Sequence, residues 1–131
     1  MKIALSSVIV DDQDKAEKFY VEKLGFIKKQ DFPAGGARWL TVVSPEAPDA
    51  TELALEPAGF DFAKTYQKAL HDAGIPLTAF AVDDIEKEYE RLTALGVAFK
   101  GRPSKPDAGP RTAVFDDTCG NYIMIYQAET A

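Results

Sequence analysis

The sequence predicts an α+β fold: two βαβββ modules forming curved mixed sheets around a cavity, with one extra helix between the modules. Three observations predict it. First, 131 residues with 46% hydrophobic and 27% charged content suit one compact unit with a real core. Second, short aliphatic and β-branched runs alternate with charged, helix-periodic segments. Third, the chain repeats itself. Residues 10–26 and residues 82–99 both begin Val-Asp-Asp, run through a charged amphipathic helix, and close on Leu-Gly before an apolar strand. The Val-Asp-Asp copies lie about half a chain apart, with one residue of slip between the Leu-Gly copies.

The elements follow in order. Residues 2–10 read as a strand. Asp11 or Asp12 caps a helix whose Ala16, Phe19, Tyr20 and Leu24 form one apolar stripe, and Gly25 stops it. Residues 26–32 form a second strand, Pro33 to Gly36 a turn, residues 37–44 a third strand and residues 51–57 a fourth. Module one is then 1–58. An inserted helix occupies 59–74, with Phe62, Tyr66, Ala69 and Leu70 on its apolar face. Module two, 75–131, carries a first strand, then a helix with Ile85, Tyr89, Leu92 and Leu95 on one stripe. Three strands follow, at residues 97–101, 111–117 and 121–127. The segment 102–110, with three prolines and one glycine, reads as a mobile loop. The whole is a single domain, 1–131.

Composition excludes several functions. One cysteine makes no internal disulfide and no CxxC pair. One histidine rules out any site that needs two histidines from one chain. Fifteen Lys+Arg against 21 Asp+Glu leave no basic surplus, so nucleic acid is not an expected partner. The first apolar run is short, contains serines and ends in two aspartates, unlike a signal peptide. No run approaches a membrane span. A lone Cys119 fits a reducing compartment, and the expected location is cytoplasmic.

The ordered set Val10-Asp11-Asp12, Phe19-Tyr20, Leu24-Gly25-Phe26, Val82-Asp83-Asp84 and Asp116-Asp117-Thr118-Cys119-Gly120-Asn121 resembles the vicinal oxygen chelate superfamily. That group includes glyoxalase I, bleomycin-resistance proteins, fosfomycin-resistance enzymes and extradiol dioxygenases. The resemblance covers almost the whole chain and specifies a fold rather than a reaction. It implies a two-fold homodimer, because paired modules leave open sheet edges.

The resemblance also implies where a divalent metal would sit. The family's first-strand ligand lies seven residues before the Asp that opens each helix, which is Leu5 before Asp12 and Leu77 before Asp84. The last-strand acid lies three residues after the Asn of the Gly-Asn turn, which is Met124. Glu52 alone matches an acidic ligand. Leucine has no lone pair and a thioether is a poor donor to hard ions. No metal site is therefore expected, and a one-residue slip would bring in only Ser6 and Thr78.

Strand periodicity sorts the expected cavity wall. Tyr122, Met124 and Tyr126 share a face, with Ile123 and Ile125 on the other. Glu52, Ala54 and Glu56 share a face. Trp39, Thr41 and Val43 share another, and Trp39 is placed in the cavity. The expected ligand-binding set is Leu5, Trp39, Glu52, Glu56, Leu77, Arg111, Tyr122, Met124 and Tyr126. Such a pocket suits a flat, partly apolar ligand of cationic character, held by stacking and cation–π contact. Arg111 is the candidate for an anionic group. Glu52 is the candidate catalytic residue, a general base if its pKa is raised.

Other residues have plainer readings. Asp11, Asp12, Asp83 and Asp84 cap helices. Cys119 is structural. His71, beside Asp72, places a favourable charge at a helix C-terminus.

Three functions follow from these readings. The leading one is a metal-independent small-molecule binding protein, needing no cofactor. The second is a glyoxalase-like lyase or isomerase, or a dioxygenase-type enzyme, using Glu52 and an atypical site; only here would a divalent metal enter. The third is a non-catalytic structural or regulatory module.

Overall fold

The computed structural model describes residues 1–128. The order is β1 (Leu5–Val10), α1 (Gln13–Lys18), a π turn (Phe19–Lys23), β2 (Ile27–Ala34), β3 (Ala37–Val43), β4 (Glu52–Pro57), α2 (Asp61–Asp72), β5 (Thr78–Ala81), α3 (Ile85–Ala94), β6 (Arg111–Asp116) and β7 (Tyr122–Gln127). The fold is mixed α+β, with a four-stranded sheet ordered β1-β4-β3-β2 and a three-stranded sheet ordered β5-β7-β6. Two compact units divide the chain, residues 1–67 and 68–131. The division falls inside α2 rather than at either end of the inserted helix.

In the first unit, β1 runs parallel to β4, and β3 is antiparallel to both β2 and β4. Asp12 caps α1 by accepting from the Lys15 backbone N–H at 3.0 Å. Ala16 and Tyr20 are fully buried and Phe19 nearly so, as are Val8, Val10, Leu40, Val42 and Leu55 on the helix-facing side of the sheet. Burying each such large apolar side chain contributes about 1.5–3 kcal/mol.

The π turn explains the one-residue slip between the two sequence copies. The Leu24 N–H reaches back five residues to the Phe19 carbonyl at 3.1 Å, so one extra residue is absorbed without losing the cap. Both copies then end on a glycine at φ +87°, Gly25 and Gly96.

The turn expected from Pro33 to Gly36 is shorter than its composition suggested. Pro33 belongs to β2 and stands opposite Arg38, and the reversal is the pair Gly35-Gly36. Their φ values, +57° and +83°, suit the two-residue hairpin turn that needs left-handed backbone at both positions. At the far side of β3, only Thr41 and Val42 pair with β4. The Gln13 side chain bridges these two strands further along. Its Nε2 donates to the Arg38 carbonyl at 2.7 Å and the Leu55 carbonyl at 2.8 Å, and its Oε1 accepts from the Arg38 N–H at 3.0 Å.

In the second unit, β5 is parallel and β6 antiparallel to β7. Asp84 caps α3 as Asp12 caps α1, accepting from the Lys87 N–H at 3.1 Å. Ile85 and Leu92 join Ala113, Phe115, Ile123 and Ile125 in its core, whereas Leu95 at the end of the expected stripe is 40% exposed.

Two expectations fail here. Residues 97–101 do not form a strand. They touch β6 through a single bridge, Phe99 to Phe115, with the Lys100 N–H on the Val114 carbonyl at 2.8 Å. Gly101 and Pro103 follow at once, and neither favours an extended ladder. The expected apolar face of the inserted helix is also not buried. Phe62 and Tyr66 are exposed, with Phe60 stacked on Phe62 at 5.0 Å, while Gln67 is buried and donates to the Ile9 carbonyl at 2.9 Å.

The chain reversal before β7 rests on Asp117. Its carboxylate is fully buried. Oδ1 accepts from the N–H groups of Cys119 at 2.7 Å and Asn121 at 3.0 Å, and Oδ2 accepts from Asn121 Nδ2 at 2.8 Å. Thr118, inside this loop, takes φ +62°. Cys119 is buried and in no disulfide.

Candidate functional site

The sheet of the first unit presents two chemically different faces. One packs on α1. On that side Arg38 pairs with Asp14 at 2.6 Å, Asp31 at 2.8 Å and Glu17. Arg38 and Lys28 hold the Asp31 carboxyl down at about 2.

The opposite face carries the sequence candidates of module one. In the parallel register Leu5 stands opposite Glu52, Ser7 opposite Ala54 and Ile9 opposite Glu56. Thr41 pairs with Ala54 and Gln30, and Trp39 pairs with Phe32. The side-chain alternation therefore puts Leu5, Trp39, Glu52 and Glu56 on one surface. Leu5, Ile27 and Phe32 are about half exposed there, so the surface is open and largely apolar.

Glu52 is the most constrained group on that surface. Its Oε1 accepts from Gln30 Nε2 at 2.6 Å and from Thr41 Oγ1 at 2.7 Å. The donating Gln30 amide, then the Thr41 hydroxyl, hold the Glu52 carboxyl below the usual carboxylate range. This reverses the raised pKa that a general base required: burial alone would raise it, but the two donors outweigh burial. Glu56 accepts from Ser7 Oγ at 3.0 Å.

In the second unit, Tyr122, Met124 and Tyr126 lie on one face of β7, with Ile123 and Ile125 buried on the other. Met124 stands opposite Ala79, while Leu77 donates its N–H to the Tyr122 carbonyl at 2.9 Å. The offset between paired strands is thus two residues smaller here than between β1 and β4. Tyr122, not Met124, occupies the place in this unit that Glu52 occupies in the first. An open groove of about 240 Å³ lies at the Tyr126 end, lined by Gly109, Pro110, Tyr126 and Ala128.

Arg111 is not on the Met124 face. It pairs with Gln127 in the ladder, so its side chain points to the helix side, where it meets Glu86 of α3 and the Ser104 carbonyl at 3.2 Å. An anion-binding role on the Met124 face is excluded by strand parity.

His71 was missed as a neighbour of the candidate face. It does lie in the last turn of α2, as its sequence position implied. Its ring also lies flat on Tyr122, at 4.4 Å between centroids and 3° between planes, with Nε2 3.9 Å from Asp116. Lys100 Nζ sits 4.6 Å from the same tyrosine ring. No local sequence signal joins residues 71, 100 and 122.

The positions that the family's pattern assigns to metal ligands fall on Leu5 and Glu52 in the first unit and on Leu77 and Met124 in the second. Among the described residues, no three His, Cys, Asp or Glu side chains converge to hold an ion. The donor set does not fit a divalent metal. No helix among the described residues is long and apolar enough to cross a membrane.

Comparison with known proteins agrees with this architecture. The model of the Glyoxalase/Bleomycin resistance protein/Dioxygenase superfamily matches residues 2–125. The uncharacterized protein YurT of Bacillus subtilis (strain 168) is 56% identical over 128 residues, covering 97% of this chain and 99% of YurT. The crystal structure of UcmS2 is similar at a TM-score of 0.82 and 30% identity, over 96% of this chain and 97% of that one. TnmS3, an antibiotic binding protein from Streptomyces sp. CB03234, is similar at a TM-score of 0.76 and 34% identity, over 98% and 97% of the two chains. The chain belongs to the Glyoxalase/Bleomycin resistance protein/Dioxygenase superfamily.

Proposed function

We propose that this protein binds a flat, largely apolar organic molecule and does so without the family's divalent metal. The observation that carries the reading is the surface around Trp39. There an open apolar face presents Leu5, Ile27 and Phe32 to solvent, and the residue at the first metal position is itself one of these apolar groups. The likeness to an antibiotic binding protein supports the same reading. Fifteen basic against 21 acidic residues favour a small molecule over nucleic acid as partner.

Trp39 is the only tryptophan, so intrinsic fluorescence reads this face directly. Titration with acridone, a neutral three-ring probe, gives saturable quenching that survives dialysis against EDTA. Quenching that needs added Zn²⁺, Ni²⁺, Mn²⁺ or Fe²⁺, or no saturable quenching at all, refutes the reading.

We place the protein in the cytoplasm as a homodimer. The exposed Phe60, Phe62 and Tyr66 support self-association, since monomers seldom leave such side chains together in water. Light scattering should return twice the chain mass; the mass of one chain refutes the dimer.

A further inference from the structure

We propose that the ligand accepted on the Trp39 face carries a cationic N–H donor, read by the Oε2 atom of Glu52. This rests on the small-molecule binding reading and specifies the ligand's chemistry.

The argument starts from how the carboxylate is held. Thr41 is fully buried, and its Oγ1 accepts from the Gln30 backbone N–H at 3.2 Å. That fixes the direction of the hydroxyl: its one proton goes to Glu52 Oε1. The Gln30 amide donates to the same oxygen. Both donors converge on Oε1, which sets the rotamer and leaves Oε2 without a donor among the described residues. Lys29, the cation nearest in electrostatic effect, sends Nζ to the Pro48 carbonyl at 3.4 Å and Asp49 at 3.5 Å instead.

An ionised oxygen thus lies beside exposed Leu5, on the face that also carries exposed Ile27 and Phe32. With the face open, water solvates Oε2. A flat ligand that covers the face expels that water. Oε2 then loses its hydration and gains nothing unless the ligand supplies a donor. A neutral aromatic leaves the charge uncompensated even where it offers an N–H, an anionic one adds repulsion, and a cationic N–H supplies both donor and charge. Strand pairing does not require the charge. A glutamine at this position keeps an Oε1 acceptor for Gln30 and Thr41, so the ion is surplus to the cross-strand network.

The test compares 9-aminoacridine, acridone and acridine-9-carboxylate, three flat probes of one size and differing charge. Binding is read by Trp39 quenching and by equilibrium dialysis. The cation should bind about tenfold or more tighter than acridone, the discrimination a charge-assisted hydrogen bond supplies, with the anion weakest. The preference should shrink with added salt. Glu52→Gln should remove the preference, weakening the cation relative to acridone, with the far-ultraviolet spectrum unchanged. Glu90→Gln, at an exposed position of α3, alters net charge equally and should change nothing. Equal binding of cation and neutral probe by the unaltered protein overturns the inference. So does a preference that survives Glu52→Gln, or one that Glu90→Gln also reduces. In those cases acridone binding still stands for the wider reading. If none of the probes binds, both fall together.

Discussion

Asp117 offers a sharp quantitative test of how this chain is held. Replacing it with alanine removes the acceptor of three hydrogen bonds, from the backbone N–H groups of Cys119 and Asn121 and the side-chain amide of Asn121. Asp117, Cys119 and Asn121 are all buried, so water does not replace the lost acceptor freely. A buried donor left unsatisfied costs about 1–3 kcal/mol, which puts the alanine variant at roughly 3 kcal/mol or more below the parent. For a chain of this size that corresponds to roughly 10 °C in Tm. Asp117→Asn keeps an Oδ1 acceptor for both backbone groups but sets an Nδ2 donor against the Asn121 amide where Oδ2 accepted, so it should cost about 2 kcal/mol, less than alanine. Urea unfolding followed by far-ultraviolet circular dichroism measures both. An alanine variant within about 1 kcal/mol of the parent refutes the reasoning, because it would mean the donors find other partners. An asparagine variant as weak as the alanine one refutes the acceptor account in favour of the charge itself.

Two further outcomes follow from the same kind of reasoning. Gln13→Ala should cost about 2 kcal/mol in urea unfolding, since three hydrogen bonds between β3 and β4 pass through that amide, and Gln13→Glu should be no better because a carboxylate would face two carbonyls. Asp31→Asn should show a pH-dependent deficit. The folded carboxyl titrates at about 2, below its unfolded value, so its stabilisation is full above the unfolded pKa and disappears as pH falls through 2. The gap in urea midpoint between parent and variant should be flat near neutrality and close between about pH 4 and pH 2; a gap that persists at pH 2 contradicts the ion-pair origin.

Much of the fold was legible because its signals are local. The caps at Asp12 and Asp84 act on backbone three residues ahead, and the stops at Gly25 and Gly96 need only a left-handed backbone at one residue. Period-two alternation paired Glu52 with Glu56 and Trp39 with Thr41 inside single strands, while cross-strand register brought them to one surface with Leu5. Arg111 went astray for a related reason. Alternation tells which residues of one strand share a face, but the match of β6 to β7 is set by pairing between distant residues. The failed strand at residues 97–101 shows the same limit, since an apolar run becomes a strand only where a partner backbone continues beside it.

The sequence by itself determined the duplicated plan, the capped helices and the apolar character of the metal positions, because each depends on residue type and short spacing. Only the tertiary structure decided what those residues can do. The β1–β4 register put Leu5 beside Glu52, and the two-residue difference in the second unit put Tyr122, not Met124, opposite Leu77. Folding also brought Gln30 and Thr41 onto one oxygen of Glu52, holding its carboxyl below the usual range, and laid His71 on Tyr122. Those outcomes are contacts between residues far apart in the chain. A carboxylate's charge is set by the donors that surround it, which no run of neighbouring letters contains.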